Sequence, residues 1–478
     1  MKNPILFKFI NFSKKNIIFL IFTPILINVF INFFEGSNLF LNYFRDYKIL
    51  LIFGFNSIFY IYFAYLISYT FKINSLSLSI AYFLLSFFVL DNIFFLITKN
   101  FSFNTYTNLV FVIWLCLIFF KIKEKIKIFY LIIIYILMIL INQHFFGLIS
   151  DNLNYIELNT DVPVQWIKLA TLISSENYFK TYTNNIIQGQ GLLISYLQAL
   201  IFRINFVFQE YSFVRLNSFL NITFTSLIFY DLNIRNKNKI FSFISLLFFL
   251  LNSEWLTYLF FDSLMLEGIL NIFVVVFLLN LKKIMNKQYL KNNSVFFYLL
   301  FSSLLLSKQF VVLLIFTFSL YLLRKNKNAI YMFTLIFLDY FYQRIFNEDS
   351  VQFEYLKGTS SFELLKNLFS FNNFEIQNIY KIIEQILIDK PFTYILIVYY
   401  LLNIYRLLFD QKHKFNTFLN HTFVLFSLNI FFIIVLYLTY WKNFGIASSY
   451  RYILNLFYVL YISLVIYLDN IETDLNLK

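Results

Sequence analysis

This sequence has little of what many chemistries need. Its 478 residues include one cysteine and three histidines. The lone Cys116 sits in an apolar run, so there is neither a disulfide framework nor a cysteine metal site. His144, His413 and His421 are too few and too scattered for a histidine-rich metal centre. With eight glycines and four prolines there is no Gly-rich phosphate loop and no low-complexity linker. Internal repeats and Gly/Pro-broken apolar helices are absent too, which argues against a secondary-transporter design. Charged residues make up 13% of the chain, against about 25% in soluble domains.

What the chain does have is apolar. It is 60% hydrophobic and 23% aromatic, with a mean hydropathy of +0.71. A soluble fold could not hide that surface, since exposed apolar patches beyond a few hundred Å² are liabilities. Part of the bias (69 Phe and 36 Tyr beside frequent Ile, Asn and Lys) reads as the codon usage of an A/T-rich genome. The aromatic count is therefore no evidence for ligand stacking. The net charge of +13 does not indicate nucleic acid, because the basic residues form short clusters between apolar runs rather than one contiguous patch. The expected solvent is the lipid bilayer.

A membrane span needs roughly 20 apolar residues. The runs that qualify are 16–34, 49–71, 76–98, 106–120, 128–146, 211–232, 240–251, 263–281, 294–306, 309–323, 329–346, 391–408, 418–440 and 450–468. The expected fold is thus all-α and polytopic, with about 14 transmembrane segments, several of them short. The first run follows basic residues and lacks a small-residue cleavage site, so it is expected to stay as a span rather than be removed as a signal peptide. Placing Lys2, Lys8, Lys14 and Lys15 in the cytoplasm tests the count. Alternation then puts Lys121/Lys123/Lys125/Lys127, Arg235/Lys237/Lys239, Lys282/Lys283/Lys287, Arg324/Lys325/Lys327 and Lys412/Lys414 on that same side. Both termini are expected to be cytoplasmic. The same logic splits 294–323 into two short crossings or a re-entrant hairpin, with Lys308 at the outer turn. It also makes 240–281 cross twice, with Asn252-Ser253-Glu254-Trp255 at its outer turn.

Two long polar segments fall outside. Residues 147–210 contain two amphipathic stretches, 164–172 and 192–202, expected to lie along the interface. Residues 347–390 are polar and acidic, with weak helical pattern at 362–368 and 376–388.

The groups able to carry chemistry gather on the outer side, where ionisable residues near a membrane-embedded cavity mark function more often than surface charges do. Asp161, between the fifth span and an interfacial helix, can take a proton from an attacking hydroxyl; before Pro163 it equally suits a helix N-cap. Glu254 and Asp262 can orient an acceptor or donor, or stand in a solvated turn. Glu267 lies further inside. Lys308 offers a phosphate a point charge or snorkels to headgroups. Arg451, opening the last span, offers bidentate geometry or anchors to headgroups beside Tyr450 and Tyr452. Arg203 and Arg215 flank the start of the sixth span, and Arg215 can cap, snorkel or meet a phosphate. Asp91 and His144 stand alone in their spans and read as polar helix contacts.

One pattern joins these residues. An acid, Asp161, stands in a long outer loop. A Gly-rich approach, Gly189-Gln190-Gly191, leads into a helical stretch, and an Arg comes early in the next span, in Val214-Arg215-Leu216. An acidic turn follows (Glu254, Asp262), then a Lys between two short spans (Lys308) and a late Arg-Tyr (Arg451-Tyr452). This resembles the GT-C superfamily of membrane glycosyltransferases, the polyprenyl-phosphate-sugar-dependent enzymes that include protein mannosyltransferases and the aminoarabinose transferases of lipid A. The likeness covers roughly 128–468. It departs from the pattern at Val162, where many relatives have a second acid, and at Leu192, where Pro is usual.

The resemblance implies inverting transfer of a sugar from an outward-facing polyprenyl-phosphate carrier to a glycan, lipid or protein acceptor at the cytoplasmic membrane. Asp161 would be the general base. Lys308, Arg451 and Arg215 would hold the donor phosphate, and Glu254 and Asp262 would be secondary acids on the acceptor side. It requires no cofactor, and a divalent metal held by Asp161 with Glu254 or Asp262 is the alternative left open. It divides the chain into a four-span extension (1–126), a catalytic membrane core (127–346) with the outer loop 147–210, an outer polar loop (347–390) and a three-span C-terminal part (391–478). A polysaccharide polymerase or O-antigen ligase, and a lipid-linked-oligosaccharide flippase, are the alternatives.

Overall fold

The computed structural model describes residues 47–98, 102–122, 125–149, 168–175, 193–205, 212–235, 266–285, 291–307, 309–338, 377–388, 390–411, 414–439 and 456–468. They are helical almost throughout. In chain order the α-helices are α1 (Tyr47–Phe71), α2 (Leu76–Thr98), α3 (Phe103–Lys121), α4 (Lys125–Ile149), α5 (Lys168–Ser175), α6 (Leu193–Asn205), α7 (Ser212–Arg235), α8 (Leu266–Met285), α9 (Lys291–Phe301), α10 (Gln309–Lys325), α11 (Gln377–Ile388), α12 (Lys390–Leu408), α13 (Thr417–Thr439) and α14 (Phe457–Leu468). Short 3-10 helices cover Ser302–Leu306 and Lys327–Phe333. Among the described residues, six helices are long and apolar enough to cross a membrane. In such a solvent only a helix satisfies every backbone N–H and C=O within the segment. The chain is a helical membrane protein. The expected runs at 16–34 and 240–251 lie outside the described residues.

The chain divides into two compact units. The first comprises Met1–Tyr182 and Leu193–Ile272. In it α1 packs against α2, α3, α4 and α7. α1 and α4 run antiparallel, since Asn56 Nδ2 donates to Asn142 Oδ1 at 2.8 Å and the Tyr62 hydroxyl to the Lys127 carbonyl at 3.0 Å. α7 runs parallel to α1, with Ser57 and Thr223 hydroxyls 3.0 Å apart. The bundle thus has a basic end, at the α1–α2 and α3–α4 turns, and an opposite end where α2 meets α3. At the basic end Lys72 adopts φ 56°. That left-handed residue closes α1 as a helix C-cap, with the Ile73 N–H returning to the Ser68 carbonyl at 3.0 Å.

α6 departs from the sequence expectation. The stretch 192–202 was expected at the interface, but this helix is buried on nearly every face. It packs against α2, α3, α4, α5 and α7. Part of its polar surface is met inside the protein. Asn205 Nδ2 donates to the Ile201 carbonyl at 2.8 Å and lies 3.3 Å from the Tyr60 hydroxyl. The Tyr135 hydroxyl donates to the Ile204 carbonyl at 3.1 Å.

The second unit comprises Thr183–Leu192 and Phe273–Lys478. Its first feature is a broken hairpin. α9 tightens into the 3-10 helix Ser302–Leu306, Ser307 is extended (φ −95°, ψ −154°), and α10 begins at Gln309. The arms return alongside one another, for Asn328 Nδ2 donates to the Ser294 hydroxyl at 2.6 Å. Phe277 of α8 stacks on Phe297 at 5.1 Å. α10 packs on α13, and α14 packs on α12 and α13.

Candidate functional site

Asp161, Glu254, Asp262, Lys308 and Arg451 lie outside the described residues. The Arg215 backbone belongs to the first turn of α7, and its side chain lies outside the described residues. What the structure gives is the frame around them. α4 ends at Ile149 and α5 begins at Lys168, so the segment carrying Asp161 is bounded by two helices of the first unit. α5 packs against α3 and α6. α6 starts two residues after Gly191, and α7, with Arg215 in its first turn, follows.

Asp91 is the buried acid at that end of the unit. It is 4% exposed in α2, and its carboxyl interacts with the Tyr196 side chain and, electrostatically, with Tyr106. The Tyr196 ring is fixed edge-on between Phe88 (5.0 Å) and Phe103 (5.3 Å). Phe94 packs beside Tyr106 at 5.5 Å. Sequence reasoning saw Asp91 as isolated. Its neighbours come from α3 and from the buried α6, and no local spacing reveals them. His144, exposed on α4, packs edge-on against the ring of Phe145 at 4.8 Å. Arg203, on α6, lies near Tyr135.

Two further buried ionisable groups escaped the sequence reading. Asp231, near the end of α7, faces the first turn of α2. Its carboxylate accepts from the Leu76 N–H (2.9 Å), the Ser77 N–H (3.0 Å), the Ser77 hydroxyl (2.5 Å) and the Ser75 hydroxyl (2.7 Å). Ser75 in turn accepts from the Leu78 N–H at 3.2 Å. The first N–H groups of a helix have no partner within it, and here a carboxylate from another helix supplies them. Its charge also complements the positive end of the α2 dipole. The only available clue was an acid standing just before the Arg235/Lys237/Lys239 cluster.

In the second unit the Arg406 guanidinium is fully buried. It donates to Asn420 Oδ1 at 2.7 Å and Asn403 Oδ1 at 3.1 Å, with Asp410 nearby as counter-charge. The Tyr467 hydroxyl reaches Asp410 at 3.4 Å. This network ties α12, α13 and α14 together. Among the described residues, no three His, Cys, Asp or Glu side chains gather as a metal site.

Comparison of the chain with protein-family models, with curated proteins and with solved structures finds no match.

Proposed function

We propose that this chain is a membrane glycosyltransferase of the GT-C kind. It transfers a sugar from a polyprenyl-phosphate donor to an acceptor at the outer face of the cytoplasmic membrane, with both termini inside. The observation that carries this reading is the frame of the first unit. The segment bearing Asp161 is bounded by α4 and by α5, which packs on α3 and the buried α6, while Arg215 opens α7. A lipid-borne substrate needs its acid and its phosphate-binding cations on one face of the bilayer, and the segment that bears the acid joins two helices of one unit.

In the reaction the acceptor hydroxyl attacks the anomeric carbon while its proton passes to Asp161. The bond to the carrier phosphate breaks, and polyprenyl phosphate leaves with its charge held by Lys308 and Arg451, with Arg215 as a further phosphate contact. Glu254 and Asp262 serve the acceptor side. The test is sugar transfer by the full chain in proteoliposomes supplied with polyprenyl-phosphate sugars. Removing a general base costs about 10²–10⁴-fold, so Asp161→Asn should lose at least about a hundredfold in turnover while inserting normally. Unchanged turnover refutes the assignment. Movement of the lipid-linked sugar across the vesicle without glycosylated product would identify a flippase instead.

A further inference from the structure

The basic end of the first unit carries a feature that the catalytic reading does not use. The α3–α4 turn holds Lys121, Lys123, Lys125 and Lys127 against the single Glu124. Three of these lysines are laid on aromatic rings. Lys121 Nζ sits 4.3 Å above the Phe71 ring, Lys125 Nζ 3.6 Å above Phe119, and Lys127 Nζ 4.2 Å above Tyr69 and 6.0 Å from Tyr65. Lys125 also donates to the Phe119 carbonyl. The rings form a ladder along α1, with Tyr62, Tyr65 and Tyr69 in successive contact at 6.1 and 6.3 Å. A cation above a ring face is held by the ring's quadrupole, so these long side chains occupy a seat rather than sweep through solvent. Asp231, the buried carboxylate at this end, already accepts four donors from α2 and the residue before it.

Below the lysines, α3 and α4 present an apolar face continuous with them. Phe120, Ile126, Phe129, Ile133, Ile136 and Leu140 are all exposed. Seated cations directly above an apolar strip match the two halves of one molecule, an anionic headgroup with acyl chains beneath it.

We propose that the α1–α3–α4 rim is a binding surface for anionic phospholipids, with the headgroup on Lys121, Lys125 and Lys127 and the chains along α3 and α4. The aromatic seats make it a surface of fixed geometry rather than a diffuse attraction.

The experiment reconstitutes the full chain in phosphatidylcholine bilayers containing trace spin-labelled phosphatidylglycerol or phosphatidylcholine. The fraction of each label immobilised by the protein is read by electron paramagnetic resonance. Wild type should prefer phosphatidylglycerol by at least about threefold, given the attraction of each basic side chain near an anionic surface. The combined variant Lys121→Gln, Lys125→Gln, Lys127→Gln should lose that preference, while Lys282→Gln with Lys283→Gln, in the other unit, should keep it. Tyr69→Leu leaves the charge intact and should lower the preference, so it decides the matter if the triple variant fails to insert. Equal immobilisation of the two lipids by wild type overturns the proposal. So does a preference unchanged in Tyr69→Leu, or an equal loss in the Lys282/Lys283 control. Abolition of the preference by excess inorganic phosphate would mark a free-anion site and overturn it as well.

Discussion

The Asp231 carboxylate accepts both the N–H and the hydroxyl of Ser77, at 3.0 and 2.5 Å, across a sequence separation of 154 residues. A side chain near the end of α7 thereby caps the start of α2. Because α2 follows α1 through a tight turn, one carboxylate fixes three helices at the basic end of the first unit. In a bilayer the uncapped N–H groups would find no water deeper than the interface, which makes the carboxylate a structural requirement of this turn.

Asp231→Ala should therefore cost stability out of proportion to its size. Leaving buried donors unmet costs about 1–3 kcal/mol, and more when the partner is charged. The expected loss is about 3 kcal/mol for Asp231→Ala and about 1 kcal/mol for Ser77→Ala. The double variant should cost less than the sum, because both substitutions break the same bond. Thermal unfolding of the detergent-solubilised chain measures all three. An Asp231→Ala variant as stable as wild type would show that water caps α2 instead.

Cys116 offers a direct test of the lipid-facing surface. It is exposed on α3, among exposed Val112, Ile113, Leu117 and Phe120. At 1.5 Å per residue it lies about 8 Å from the basic end of the helix. In a bilayer its thiol should resist charged, membrane-impermeant reagents, since bringing a charge into the hydrocarbon is costly, and should react with a small lipophilic disulfide. Rapid labelling by a charged thiosulfonate in intact proteoliposomes would mean that this face of α3 is wet.

Much of the helical architecture was legible in the sequence, and the reasons are particular. α2 was delimited at 76–98 because its apolar run begins at a serine cluster and ends at a basic residue. The break near Ser307 was legible because a single span through 294–323 would have moved Arg324, Lys325 and Lys327 away from the other basic clusters. Burial of α6 was not legible, since an amphipathic helix of 13 residues shows the same periodicity whether its polar face meets water or a neighbour such as Tyr60. The caps and clamps were hidden for another reason. Asp231 and Arg406 each take a partner from another helix, Ser77 and Asn420, and a single sequence carries no trace of such pairings. The candidate catalytic residues sit in or beside polar connecting segments, where periodicity says least.

Arg406 should not tolerate lysine. Its buried guanidinium serves Asn420 and Asn403 through two separate nitrogens, a fork that a lysine ammonium cannot reproduce on its different stem. Arg406→Lys is expected to lower stability by about 1.5–3 kcal/mol, the range for hydrogen bonds to a charged group. Asn420→Ala should remove part of that and couple to it. Unfolding midpoints of the single and double variants decide this, and strictly additive effects would show that the two side chains do not act as a clamp.

The broken hairpin makes the last prediction, about sidedness. α9 has 11 residues and the 3-10 helix after it five, spanning about 26 Å together at 1.5 and 2.0 Å per residue. α10, with 17 residues, also spans about 26 Å. The hydrocarbon core is about 30 Å thick, and a shortfall of a few Å is met by local thinning and by snorkelling end groups at modest cost. Neither arm is among the six helices long and apolar enough to cross, so labelling of the two ends decides whether the pair crosses. With Cys116 replaced by serine, Lys308→Cys and Lys325→Cys should be labelled by an impermeant maleimide from opposite faces of oriented proteoliposomes. Labelling of both from one face, or protection of position 308 from both, would mean that the arms do not cross and that the segment is a re-entrant hairpin. Lys308 could not then meet a lipid phosphate at the outer leaflet, and the role assigned to it would pass to Arg451 and Arg215.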